Sequence, residues 1–206
     1  ALSKLGTDVT VVEGMDSILG IMDKEIRRPL EIWLKRHKVT IHTNSLARGT
    51  KIKGKGASRK AHLTFEKGGE EQTIKVDKVL VTVGRRPNTK GWGIENMGVR
   101  MDTGGRFIRI DRQCRTNVPG VYAIGDVAGE PMLAHKASAQ GEMVAEILAG
   151  HHREFDKVAI PAIVFTEPEI VSVGLSPDEA KERGEQIITG KFPLAANGRA
   201  LTLEAE

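Results

Sequence analysis

Three places in the chain set residues able to bind a ligand at the carboxyl ends of apolar runs, and a fourth sets them at a helix start. Glu13 closes the β-branched run 7–13, TDVTVVE. A carboxylate at such a strand end can accept hydrogen bonds from the hydroxyls of an adenosine ribose, and its charge repels a 2′-phosphate, so Glu13 favours NAD over NADP. A Glu on a solvated strand end is the plainer reading. Spacing supports the ligand, because the glycine-rich loop that serves such an acid stands roughly 20 residues upstream. Only 12 residues precede Glu13, so that loop is expected before Ala1. Gly84 closes the apolar run 78–84, KVLVTVG, where a glycine permits close approach of a flat ring. A simple turn glycine is equally compatible. Gly125-Asp126 closes 120–126, GVYAIGD. This Asp could accept a hydrogen bond from a ligand hydroxyl, such as one on a ribityl chain, or form an ordinary Asx turn. The segment 131–137, PMLAHKA, then opens a helix. Its unpaired first-turn N–H groups stabilise a negative group by about 0.3–1 kcal/mol, and up to about 2 kcal/mol when partly buried.

Other chemistry is disfavoured. His135 lies in that first helical turn with no second His or acid at the spacing of a metal site or triad, which suits helix-start packing beside a cofactor. Cys114 is the single cysteine, so neither an internal disulfide nor a dithiol pair nor a four-cysteine metal site is available, and a reducing compartment is expected. No catalytic residue and no metal ligand is assigned.

The elements that must position these residues alternate at first. Residues 1–6 read as the end of a helix stopped by Gly6, followed by strand 7–13. An amphipathic helix over 22–37 puts Ile26, Leu30, Trp33 and Leu34 on one face, with Asp23 as N-cap and Pro29 as a kink or late start. Strand 39–43 follows. Residues 49–53, 61–66 and 72–76 read as antiparallel strands, with Gly68-Gly69 as one turn. The run 78–84 has the profile of a central parallel strand. Strands 106–111 and 120–126, a helix over 133–148 stopped by Gly150, and a linker over 151–159 come next. Strands 162–165 and 169–174 precede a helix opened by the capping box Ser176-Pro177-Asp178-Glu179, then strand 186–192.

Composition agrees with an α/β protein. The 206 residues are 39% hydrophobic and 28% charged, and 23 glycines accompany only eight aromatic residues. Such a balance suits nucleotide-binding architecture, where backbone must approach phosphates. No apolar run approaches the roughly 18 residues of a membrane span, and no charged-then-apolar leader points to secretion. The net charge of +4 is local: residues 48–60 carry six basic side chains and no acid, leaving the remainder at about −2. The stretch is glycine-rich and free of aromatics, which reads as a solvated hairpin rather than a nucleic-acid site.

At 121–150, VYAIGDVAGEPMLAHKASAQGEMVAEILAG, the chain resembles the return segment of the flavoprotein disulfide reductases of the pyridine nucleotide type. VVE at 11–13, VTVGRRPN at 81–88, RTNVPGVYAIGD at 115–126, MLAHKA at 132–137, IVFTEPEIVSVG at 163–174 and GRALTL at 198–203 occur in that family's order. MLAHKA points to the branch that oxidises protein-bound dihydrolipoamide; glutathione and mercuric reductases differ there. The resemblance implies FAD and NAD as cofactors. Glu13 would bind the adenosine ribose of NAD, Leu46 would line the adenine side, and Gly84 would lie near the nicotinamide half. Asp126 would bind the ribityl chain, and Met132, Leu133, Ala134 and His135 would contact the flavin.

The implied fold class is α/β: partial FAD- and NAD-binding doubly wound folds, then the start of an α+β dimer-interface domain. The expected divisions are 1–84 for NAD, 85–154 for the second FAD segment and 155–206 for the interface. The family's first FAD loop, its redox cysteine pair and its NAD fingerprint would precede Ala1, and its His-Glu pair would follow Glu206, so the chain reads as an internal piece. Implied partners are a second copy in a homodimer and the lipoyl-bearing subunits of 2-oxoacid dehydrogenase or glycine cleavage complexes. The cytoplasm, or the mitochondrial matrix of a eukaryote, is the expected location. Another NAD(P)H-dependent flavin disulfide reductase and a catalytically inactive binding module remain as alternatives.

Overall fold

A computed structural model describes residues 1–156 and 159–203. Positions 157 and 158 of the expected linker, and the last three residues of the expected interface segment, lie outside the described residues. Packing divides the chain into two compact units, 1–174 and 175–206.

The first unit opens with a 3-10 turn, Ser3–Leu5, closed by Gly6 at φ 84°, whose N–H donates to the Ser3 carbonyl. Strand β1 (Thr10–Val12), helix α1 (Lys24–Arg36) and strand β2 (Thr40–His42) form a β-α-β unit, with β1 and β2 parallel in the register Val11 to Ile41. Such a crossover is the building block of α/β folds. Asp23 caps α1 by accepting the Glu25 N–H at 2.7 Å. Pro29 sits inside α1 without ending it, although it cannot donate to the carbonyl one turn back. The apolar face falls as the spacing requires: Ile26, Leu30 and Leu34 pack with Met22, and with Ile170 of a later hairpin.

Strands β3 (Ser45–Lys53), β4 (Lys60–Lys67) and β5 (Glu70–Val76) make an antiparallel sheet in chain order, each longer than its sequence pattern suggests. Gly68 and Gly69, at φ 60° and 84°, form the two-residue turn between β4 and β5, where both positions need positive φ. A register shift between Ala47 and Gly49 marks a bulge in β3. Phe65 is fully buried on one face of this sheet, with its ring centroid 5.0 Å from that of His42.

Four expected strands do not form ladders. Residues 78–84 form no strand and have no ladder partner among the described residues, leaving Leu80, Val81 and Val83 75%, 72% and 91% exposed. Residues 106–111 and 120–126 form only the single bridges Met101–Ile108 and Arg115–Tyr122, with scattered backbone hydrogen bonds such as Ile108 N–H to the Val127 carbonyl at 2.7 Å in place of a ladder. In the second unit 186–192 is likewise unpaired, with Ile187, Ile188 and Phe192 exposed. Each run has the apolar, β-branched texture of a buried strand, but a strand is completed by a neighbour's backbone. The described residues supply none for 78–84 or 186–192.

The middle of the first unit is instead held by turns around a small core of Ile94, Ile108, Ala123 and Ala128. Asp102 accepts the N–H groups of Arg106 at 2.7 Å and Phe107 at 3.0 Å; the Phe107 bond in particular holds its carboxyl below the usual range. Cys114 is fully buried at φ 59°. Helix α2 (Ala134–Leu148) follows, then the antiparallel pair β6 (Ala162–Val164) and β7 (Ile170–Ser172).

The second unit holds α3 (Pro177–Glu182) and α4 (Gly198–Thr202). The capping box forms as expected: the Ser176 hydroxyl accepts the Glu179 N–H at 3.2 Å, and the Glu179 carboxylate accepts the Ser176 N–H at 2.9 Å. Asn197 caps α4 by accepting the N–H groups of Arg199 and Ala200.

Candidate functional site

The singled-out residues fall into two groups. In the first, the β1 strand end is stitched to both following elements. The Glu13 N–H donates to the His42 carbonyl at 2.8 Å, and the Glu13 carbonyl accepts the Ser45 N–H at 2.9 Å. Glu13 is half-buried, and one carboxylate oxygen, Oε1, accepts the Met15 N–H at 2.9 Å. Among the described residues no hydrogen bond reaches Oε2. Leu46 stands beside this turn: its Cδ1 lies 3.9 Å from where a Cβ on Gly14 would sit, and its side chain is exposed. An apolar surface next to a carboxylate is what a purine and its ribose require.

The second group forms around Arg85, a residue the sequence reading passed over. Its guanidinium pairs with the Asp126 carboxylate through Nη2 and donates to the Met132 carbonyl through Nη1 at 3.1 Å. Three singled-out positions, Gly84, Asp126 and Met132, are thereby drawn together although they are far apart in sequence. The only signal was the arginine directly after Gly84. Among the described residues no hydrogen bond reaches Oδ1 of Asp126. Gly84 itself, at φ 119°, has no atom within 4 Å of a Cβ position and opens onto a groove of about 590 Å³ that runs past Arg86 to Arg106.

Asp126 is aimed by the start of α2. Gly125 sits at φ 73°, and a Cβ there would meet Ala137 Cβ at 3.1 Å, so only glycine lets the turn lie against the helix. The buried Gln140 side chain fixes the same turn by accepting the Gly125 N–H at 2.8 Å. Lys136, also buried, donates to the Gly129 carbonyl. Leu133 is the N-cap of α2 with no side-chain cap, so the first-turn N–H groups of α2 form an electropositive end without a capping side chain. The His135 ring is bonded through Nε2 to the Pro161 carbonyl at 2.9 Å, which orients it. These features fit a flavin: a carboxylate in the 3-10 turn Gly125–Ala128 for a sugar-like chain beside an uncapped helix start.

The family model for the pyridine nucleotide-disulphide oxidoreductases matches residues 1–141, and that for their dimerisation domain matches residues 160–206. The chain belongs to the pyridine nucleotide-disulphide oxidoreductase family.

Its relatives include dihydrolipoyl dehydrogenase of Pseudomonas aeruginosa, 48% identical over 206 residues, and that of Bacillus subtilis, 47% identical over 204 residues. These alignments cover 100% and 98% of the chain and 42% of each relative. The chain thus spans about two-fifths of the length of the curated relatives it matches. Among solved structures, LpdA from Mycobacterium tuberculosis superposes with a TM-score of 0.85 at 30% identity, covering 98% of this chain and 42% of that one. The flavoprotein disulfide reductase RclA from Escherichia coli gives 0.79 at 25% identity, covering 98% and 45%. The fold class is therefore α/β, and membership of this pyridine nucleotide-disulphide oxidoreductase family implies FAD and NAD(H) as cofactors. The dimerisation-domain match supports a homodimer. Among the described residues no helix is long and apolar enough to cross a membrane.

Proposed function

We propose that the chain is part of a dihydrolipoyl dehydrogenase, in which it holds NAD(H) and one side of FAD. The overall reaction is dihydrolipoamide plus NAD⁺ giving lipoamide, NADH and a proton. The observation that carries this reading is the gathering of Gly84, Asp126 and Met132 around Arg85, in a chain matching dihydrolipoyl dehydrogenases along its whole length. When bound, the flavin supplies the electron relay between a dithiol and the nicotinamide. The work of this chain's residues is binding and orientation. Glu13 accepts from the ribose hydroxyls of NAD and disfavours a 2′-phosphate, while Leu46 covers the adenine side. Gly84 allows the nicotinamide half close to the backbone. Asp126 accepts from a ribityl hydroxyl through its open oxygen. Met132, Leu133, Ala134 and His135 present the helix start to the electron-rich edge of the ring.

In this reading residues 1–84 belong to the NAD-binding part, 85–154 to the FAD-binding part and 155–206 to the interface. The physiological partners are lipoyl-bearing subunits of multienzyme complexes, in the cytoplasm or mitochondrial matrix. The test is lipoamide-dependent oxidation of NADH by the intact protein, with NADPH and with glutathione disulfide as controls. Turnover with NADH and lipoamide supports the assignment. Preference for NADPH or for glutathione disulfide overturns it in favour of another reductase of the family.

A further inference from the structure

The antiparallel sheet carries a basic face that the cofactor sites leave unused. Cross-strand register sets Lys53 of β3 opposite Lys60 of β4, and places Lys51, His62 and Lys75 side by side across all three strands. Side chains alternate between faces, so these five share one side, as do Thr64 and Thr73, whose hydroxyls meet at 3.1 Å. The opposite side carries Phe65 and packs toward His42, so the basic side faces away from that contact. Residues 48–62 contain no acid, and 73–78 contain one, Asp77; the same side turns acidic only at its far end, where Glu66, paired with Arg48, stands opposite Glu71. Lys60 engages it directly; that hydrogen bond holds the Asp77 carboxyl below its usual range.

Like charges directly opposite one another destabilise a sheet. Lysines on an edge strand are commonly accounted for as a block to edge-to-edge pairing. That explains Lys51 and Lys53 on β3 and Lys75 on β5, and Asp77 accounts for Lys60, but neither accounts for His62, set on the central strand between Lys51 and Lys75. A nucleic-acid surface would add aromatic side chains for stacking, and this face has no Phe, Tyr or Trp. We infer that the basic face of β3-β4-β5 docks an acidic polypeptide segment of a partner protein. Rows about 6.8 Å apart along a strand match alternate carboxylates on an extended chain.

The test is fluorescence anisotropy of a labelled oligo-glutamate peptide titrated with the intact protein at low and physiological salt, with a labelled single-stranded oligonucleotide in parallel. Binding that weakens with salt and falls at least about tenfold in Lys51→Glu/Lys53→Glu is expected. Lys51→Gln/Lys53→Gln should fall between, and both variants should keep the flavin absorbance and NADH turnover of the parent. The inference fails if the peptide does not bind at low salt, if charge reversal leaves its affinity unchanged, or if the oligonucleotide binds more tightly than the peptide.

Discussion

Glu13 and Gly125 do different work by different physics, and their substitutions should separate. Removing the Glu13 carboxylate deletes charge-assisted hydrogen bonds, each worth about 1.5–3 kcal/mol. Glu13→Ala in the intact protein should therefore raise the KM for NAD by about tenfold or more and narrow the preference over NADP, with kcat little changed. Steady-state kinetics with both nucleotides checks this, and an unchanged NAD/NADP ratio removes the role. Gly125 acts through backbone. An added methyl group meets Ala137 and forces a left-handed conformation that costs a non-glycine residue about 1–3 kcal/mol. Gly125→Ala should lower the melting temperature and reduce flavin retention together, read from thermal unfolding and the visible-to-ultraviolet absorbance ratio. Glu13→Ala should leave both near the parent values.

At the scale of elements, α1 is anchored by few contacts. Leu30 is buried between Met22 and Ile170, joining the helix to the β6-β7 hairpin. Truncating it leaves a cavity that this small cluster cannot refill, and Leu30→Ala should cost about 2–5 kcal/mol in urea unfolding of the intact protein. The turn at Asp102 has a pH signature. Its carboxyl is held low, chiefly by the Phe107 N–H, so the charged form is favoured by folding. The contribution is complete above the ordinary aspartate range and disappears as pH falls through the lowered value, from about pH 4 downward. Asp102→Asn should accordingly be less stable than the parent at neutral pH, and the gap should close in acid. A gap that persists at low pH would rule out titration as its source.

At the scale of the molecule, apolar runs stand uncovered. Leu80, Val81 and Val83 face solvent in one unit, as do Ile187, Ile188 and Phe192 in the other. Ordinary domains are stable by only about 5–15 kcal/mol, and exposed apolar runs erode that margin. The 206 residues alone should bind a hydrophobic dye, associate on size-exclusion chromatography and lack a cooperative melt. A sharp, reversible melt of the monomer would contradict this. Local features were legible in the chain itself. The α1 face, the Asp23 and Ser176 caps, the Gly68-Gly69 turn and the open start of α2 each depend on residues within one or two turns of one another, and the position of Glu13 directly after β1 depends on local pattern. Asp126 instead falls in a 3-10 turn and not at the expected strand end. Other features were decided only by tertiary structure: which apolar runs find a strand partner among the described residues, the junction of Gly84, Asp126 and Met132 through Arg85, and the cross-strand stacking of Lys51, His62 and Lys75. Each of these requires atoms distant in sequence to meet, and a run's own side chains specify that it prefers to be extended and buried without specifying which backbone lies beside it.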